Sequence, residues 1–276
     1  MHLQACGARN TLLHLSGSWV TGISIFASVR TRITHIRSAY LSGDETYWKS
    51  DESRNYHENK TYKLDVYREF AKFIESYQPK TILDYGCGNG YIDTLLDRDI
   101  QKTLYDIKSG SVKIDNFEKY NCKIVTSRAN LLKDHFDVVL LNFVLICVPD
   151  EKMYSEMLAT IEHVKKENGK LIIFDCHPCF MQYGYSYFNV ELPENFQYLS
   201  YGKAFTKHIN TIDHETGEKA KCSFPDFHWP LSFTINKLVE SGFNIVRMEE
   251  WPDIGFERYN EAKNERYPPI YCLVCE

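Results

Sequence analysis

From Asn59 to Tyr77 the apolar residues Leu64, Tyr67, Phe70, Ala71 and Ile74 recur at the spacing of an amphipathic helix, and Pro79 follows as a stop. The pattern then shortens. Thr81–Asp84, Thr103–Ile107, Lys123–Val125, Phe136–Leu141 and Lys170–Phe174 are compact runs dominated by apolar residues, as suits parallel strands buried on both faces. After the first run come Gly86, Gly88 and Gly90 and then Tyr91–Leu96 with helical spacing, which reads as strand, glycine turn and helix. Between the last two runs Asp150 can cap a helix whose buried stripe is Met153, Met157, Ile161 and Val164, with Asn168-Gly169 as a left-handed exit. Five strands with crossovers between them predict an open, mostly parallel α/β sheet.

Beyond the fifth strand the periodicity breaks. Residues 176–229 hold 12 aromatics in 54 positions, a density that predicts an insertion lining a pocket over the carboxyl edge of the sheet. Order returns with a helix at Ser232–Ser241 ended by Gly242, a strand at Asn244–Met248 and a terminal strand at Ile270–Val274.

Composition places the 276-residue chain among globular proteins, and nine scattered cysteines read as reduced thiols rather than a disulfide framework. The net charge of −5 is uneven: residues 1–43 carry Arg9, Arg30, Arg32 and Arg37 and no acid, so residues 44–276 hold −9. That sign argues against a nucleic-acid partner. The weakly polar stretch 11–29 contains His14, two glycines and several hydroxyl residues, which makes a poor membrane span. Residues 1–43 are read as an extension, either a targeting segment of mitochondrial type or an extended start, and residues 44–276 as the functional domain. A cytoplasmic location is expected, or a mitochondrial one if the extension is a transit peptide; the oligomeric state is left open.

The sharpest signal is Asp84-Tyr85-Gly86-Cys87-Gly88-Asn89-Gly90. Glycines after a buried strand allow a tight turn and close approach of a ligand to the main chain, so a nucleotide cofactor is implied. The dinucleotide fingerprint needs its third glycine one residue later, where Tyr91 stands, which counts against a nicotinamide cofactor. Asp106 closes the second strand 20 residues after Gly86, where an acid can accept both hydroxyls of a ribose.

The D-x-G-x-G-x-G pattern resembles motif I of the class I S-adenosylmethionine-dependent methyltransferases, small-molecule type. Phe136–Asn142 with Val148-Pro149-Asp150 resembles the fourth strand and the next helix start of that family, and Gly169–Ile173 its fifth strand. Phe227-His228-Trp229-Pro230-Leu231-Ser232 with Leu238–Phe243 is similar to a segment of many members, although Trp229 stands where an arginine is usual. The resemblance covers roughly residues 56–276 and implies a Rossmann-like seven-stranded sheet, mostly parallel with an antiparallel C-terminal strand, helices on both faces and an aromatic cap insertion at 176–229. It implies S-adenosyl-L-methionine as cofactor, with Gly86, Gly88 and Gly90 against its methionine and ribose portions, Asp84 toward its amino group and Asp106 on the ribose diol. Ile107 should pack on adenine, Asn130 contact it after the third strand, Asn142 lie beside the methionine end, and Tyr56 close over the site.

The implied reaction is methyl transfer to a small-molecule acceptor, an oxygen being expected, with no metal. Alternatives are a catalytically inactive methyltransferase-like binding domain and a nucleotide-cofactor oxidoreductase. His228 is the preferred general base and His177 the second candidate, since both border the insertion and imidazole titrates near neutrality. His214, in a polar run, reads as a solvated turn residue. The aromatics Tyr183, Tyr185, Tyr187, Phe188, Tyr198 and Tyr201 fit a small secondary core or a pocket lining equally well. Cys176-x-x-Cys179 and Cys272-x-x-Cys275 have the form of a redox or zinc site, but ordinary thiols are expected, because positions 272 and 275 of one strand fall on opposite faces.

Overall fold

The computed structural model describes residues 64–107, 112, 114, 117–181, 188–212, 219–251 and 268–276. Tyr56, the 1–43 extension with its 11–29 stretch, His214 and Tyr183, Tyr185 and Tyr187 lie outside the described residues. Helix α1 (Leu64–Glu75) leads into β1 (Thr81–Tyr85), followed by β2 (Gln101–Tyr105), β3 (Cys122–Val125), β4 (Phe136–Asn142), helix α2 (Glu151–Val164) and β5 (Lys165–Cys176). After an inserted sheet the chain completes the fold with helix α3 (Leu231–Glu240), β9 (Ile245–Trp251) and β10 (Ile270–Cys275).

These strands form one seven-stranded sheet in the order β3-β2-β1-β4-β5-β10-β9. The pairs β2–β3, β1–β2, β1–β4 and β4–β5 are parallel, whereas β10 is antiparallel to both β5 and β9. Two apolar layers cover its faces. Ile82, Val138, Leu140, Ile172 and Phe174 pack against Phe70 and Ile74 of α1, while Leu83, Val139, Leu141 and Ile173 pack against Met157 and Ile161 of α2 and Leu238 of α3. Successive strand residues therefore feed opposite cores, which is why the strands read as unbroken apolar runs. Cys272 joins the first layer and Cys275 the second, as expected for their spacing.

The α2 start is as expected: Asp150 is the N-cap, its Oδ1 accepting from the amide of Met153 at 2.9 Å. Asp150→Ala should cost about 1 kcal/mol of stability, read as a lower urea midpoint at unchanged slope. Two local expectations fail. Tyr91–Leu96 makes only a short 3-10 turn at Ile92–Thr94, because the hydroxyl of Thr94 bonds back to the Tyr91 carbonyl at 2.7 Å and the chain must reach β2 by Gln101. Helix α2 ends at Val164, and Lys165 is already extended with φ −69° and ψ 137°, so Asn168-Gly169 is no left-handed exit. Gly169 serves packing instead, since a Cβ there would sit 2.7 Å from the carbonyl oxygen of Phe136.

The insertion contains a structured element that the sequence pattern does not predict. β6 (Phe188–Glu191), β7 (Lys203–Ile212) and β8 (Lys219–His228) form a three-stranded antiparallel sheet. β8 runs directly into Trp229 and Pro230, the N-cap of α3, so cap and main sheet share one seam. Trp229 secures it: the indole donates to the Val148 carbonyl at 2.9 Å and stacks on Phe233 at 4.6 Å. The residue at the arginine position is thus a buried anchor. Among the described residues no helix is long and apolar enough to cross a membrane.

Candidate active site

The carboxyl ends of β1, β2 and β4 meet at one edge, and the glycine turn lies there. Gly86, Gly88 and Gly90 take φ of +80°, +55° and +71°, a region that side chains disfavour. At Gly86 a Cβ would also lie 2.7 Å from Val144 Cγ2. The turn is bound to the end of β2: the amides of Gly86 and Cys87 donate to the Tyr105 carbonyl at 2.7 and 3.1 Å, and the amide of Gly88 donates to Asp106 Oδ2 at 2.8 Å. Asp106 is thereby held beside the turn. Next to it Ile107 is 60% exposed, an apolar side chain left at the surface.

Asn142 closes β4 at the same edge, its Oδ1 buried and without a hydrogen-bond donor among the described residues. Asp84 lies deeper, only 1% exposed, beside Asp93. Burial first, and then the Asp93 carboxyl, hold its pKa well above the usual carboxylate range. Asn130 ends the 3-10 turn Arg128–Asn130 after β3 and is exposed.

A second feature opens between the inserted sheet and the end of β5. This cavity, about 470 Å³ including its open mouth, has apolar walls from Leu145, Ile146, Met181, Phe205, Trp229 and Tyr271. Polar groups line it too: Asp175, Cys176 and His177 from the end of β5, Lys207 from β7, and Asp226 and His228 from β8. Lys207 Nζ is 3.2 Å from Asp226 Oδ2 and 3.3 Å from Cys176 Sγ. The Asp175 carboxylate accepts from the amides of Leu145 and Cys176 at 2.8 and 2.7 Å, tying the loop after β4 to the end of β5. Burial lifts its pKa to about 7, against the pull of these amides and Lys207.

The two histidines both reach this cavity but in different states. His177 accepts from the Cys179 amide at Nδ1, 3.3 Å away, which leaves its Nε2 to donate to Glu250 at 2.9 Å. Both of its nitrogens are engaged. His228 is bound only through Nε2, which donates to the Tyr198 carbonyl at 2.6 Å. That bond fixes the tautomer, so the lone pair sits on Nδ1, which is buried and has no partner among the described residues. Burial lowers the His228 pKa, with the carbonyl bond acting in the opposite sense, which favours neutral imidazole.

A family model described as a methyltransferase domain matches residues 78–223, more than half of the chain. The chain belongs to the methyltransferase domain family. It is therefore read as an enzyme of that family, and its fold has counterparts among solved methyltransferases. The CcbJ methyltransferase from Streptomyces caelestis is 14% identical, with a TM-score of 0.56 over 77% of this chain and 89% of that one. The glycopeptide N-methyltransferase MtfA is 13% identical, with a TM-score of 0.51 over 76% and 90%, and it is also known in complex with S-adenosyl-L-methionine. An S-adenosylmethionine-dependent methyltransferase from Clostridium acetobutylicum is 12% identical, with a TM-score of 0.51 over 90% and 98%. Among curated proteins no relative matches the sequence.

In this methyltransferase the expected cofactor residues Asp84, Gly86, Gly88, Gly90, Asp106, Ile107 and Asn142 gather at the ends of β1, β2 and β4. Among the described residues the aromatics bordering the cavity are Phe205, Phe227, Trp229 and Tyr271, and of the expected set Tyr198 and Tyr201 are not among them. Tyr201 instead stacks on Trp229 and Phe233, and the Tyr198 hydroxyl accepts from the Leu231 amide at 3.0 Å. Sequence reasoning missed Asp175, Lys207 and Asp226. Asp175 alone left a trace, as a carboxylate ending an apolar strand where it reaches the carboxyl edge.

Proposed function

We propose that this methyltransferase takes the methyl group of S-adenosylmethionine and delivers it to a hydroxyl oxygen of a small molecule held in the cavity under the inserted sheet. The residues present fit that cofactor. Asp106 stands beside the glycine turn where a ribose diol can donate to it, the exposed Ile107 offers an apolar surface to adenine, and the orphaned Asn142 Oδ1 can accept from the methionine end. When bound, the cofactor supplies an activated sulfonium-borne methyl group, for which the protein chiefly provides alignment and water exclusion.

The observation that carries the reading of the acceptor is that His228 lines the cavity and its Nδ1 has no partner among the described residues. A hydroxyl must lose its proton as its oxygen attacks carbon, and a neutral imidazole with a buried, oriented lone pair can take it. The Tyr198 carbonyl holds the ring and would stabilise the imidazolium formed. His177, fastened at both nitrogens, shapes the cavity wall beside Glu250.

Calorimetry with S-adenosylhomocysteine tests the cofactor assignment. Wild-type protein should bind it and not NAD, and Asp106→Ala should weaken binding by about 1.5–3 kcal/mol, the scale of a hydrogen bond to a charged group. Absence of heat with S-adenosylhomocysteine, or an unaffected Asp106→Ala variant, refutes it.

A further inference from the structure

Behind the glycine turn lies a second acid that the proposed chemistry has not used. Asp93, in the 3-10 turn after Gly90, is 0% exposed, and its carboxyl group lies within hydrogen-bond reach of the equally buried Asp84. All four oxygens are buried, and among the described residues Asp84 meets no donor other than the partner acid, while the Asp93 carboxyl is favoured only by its own backbone amide and by Lys102 at longer range. Two carboxylates in contact away from water cannot both ionise, whereas a carboxyl and a carboxylate sharing one proton form a strong, directional bond. The surrounding charges are few. Lys102 approaches from β2 with Nζ held 2.5 Å from the Asp97 carbonyl, Asp106 lies at the end of β2, the Cys87 and Cys122 thiols come from the turn and from β3, and Glu75 of α1 faces Lys102.

We propose that Asp93 is a positioning residue of the cofactor site, sharing one proton with Asp84 so that the pair presents a single oriented negative charge to the amino group of S-adenosylmethionine. The inference rests on the cofactor reading above. An acid pair enclosed at the edge of a ligand site, in which Asp84 meets no donor from the described residues beyond its partner acid, is suited to a cationic ligand group, directly or through water. A cation beside the pair favours its singly ionised, proton-sharing form over the fully protonated one, so binding releases a proton and affinity rises with pH over the range in which the pair takes on that single charge.

The test compares S-adenosylhomocysteine with methylthioadenosine, which lacks the amino-acid arm, by calorimetry on the wild type, Asp93→Leu and Asp93→Asn. Wild-type affinity for S-adenosylhomocysteine should rise roughly fivefold between about pH 6 and about pH 8, while that for methylthioadenosine stays flat. Asp93→Leu should weaken S-adenosylhomocysteine about tenfold and leave methylthioadenosine within about twofold. Asp93→Asn, whose amide can still donate to Asp84, should bind within about threefold of wild type near pH 8 and lose the pH slope. Equal weakening of both ligands by Asp93→Leu would show a merely structural residue and overturn the proposal, as would no weakening of either. If the leucine variant does not fold, a wild-type pH slope retained in Asp93→Asn overturns it. Failure of both ligands to bind wild-type protein sinks the cofactor reading itself, and this inference with it.

Discussion

Replacing His228 with alanine is expected to lower kcat by roughly 10²–10⁴-fold, with affinity for S-adenosylhomocysteine within about twofold of wild type. The separation of effects follows from position: His228 ends β8 at the cavity, whereas the proposed cofactor residues lie at the ends of β1, β2 and β4. His177→Gln, by contrast, should cost much less, because that ring is bound at both nitrogens. The pH profile supplies a second readout. A neutral base is needed, so kcat should fall as pH drops through the His228 pKa, and burial places that acid limb below the ordinary value of 6.5. A loss smaller than about threefold in His228→Ala would point to alignment without a base.

Lys207→Met should be the most destabilising change in the inserted sheet, costing about 3–5 kcal/mol and lowering Tm by roughly 10 °C, because it leaves the buried Asp226 carboxylate without its cation. Both side chains are almost wholly excluded from water and lie 3.2 Å apart. The double variant Lys207→Met, Asp226→Leu should recover most of that loss, since replacing both charges removes the uncompensated one. Thermal unfolding of the three proteins decides the matter: a single variant as stable as wild type would mean that the pair contributes nothing.

The reasons for what was and was not readable lie in particular residues. The parallel strands were legible because both of their faces are buried, so Ile82-Leu83 and Val138–Leu141 carry little polar interruption. The glycine turn was legible because three positive φ angles leave few residue types to choose from. β7 was not, since its buried positions include Lys207 beside Phe205, which erases the alternation of a half-buried strand. The failed helix after Gly90 had the right spacing but too short a path to β2, a constraint that periodicity does not carry. The difference between the two histidines was likewise invisible. It depends on the Tyr198 carbonyl, 30 positions away in sequence, and on Glu250, 73 positions away.

The seam at Trp229 separates two things that an enzyme must often change independently. His228 is the last residue of the inserted sheet, and its neighbour is clamped into the aromatic stack on α3, so the proposed base is registered to the main sheet and its helices. Phe205 and Val190, on β7 and β6, border the same cavity from strands that do not carry the proposed base. Residues on those strands could therefore be exchanged to admit differently shaped acceptors without retiming the chemistry, which makes β6 and β7 the natural places to redirect this scaffold toward new substrates.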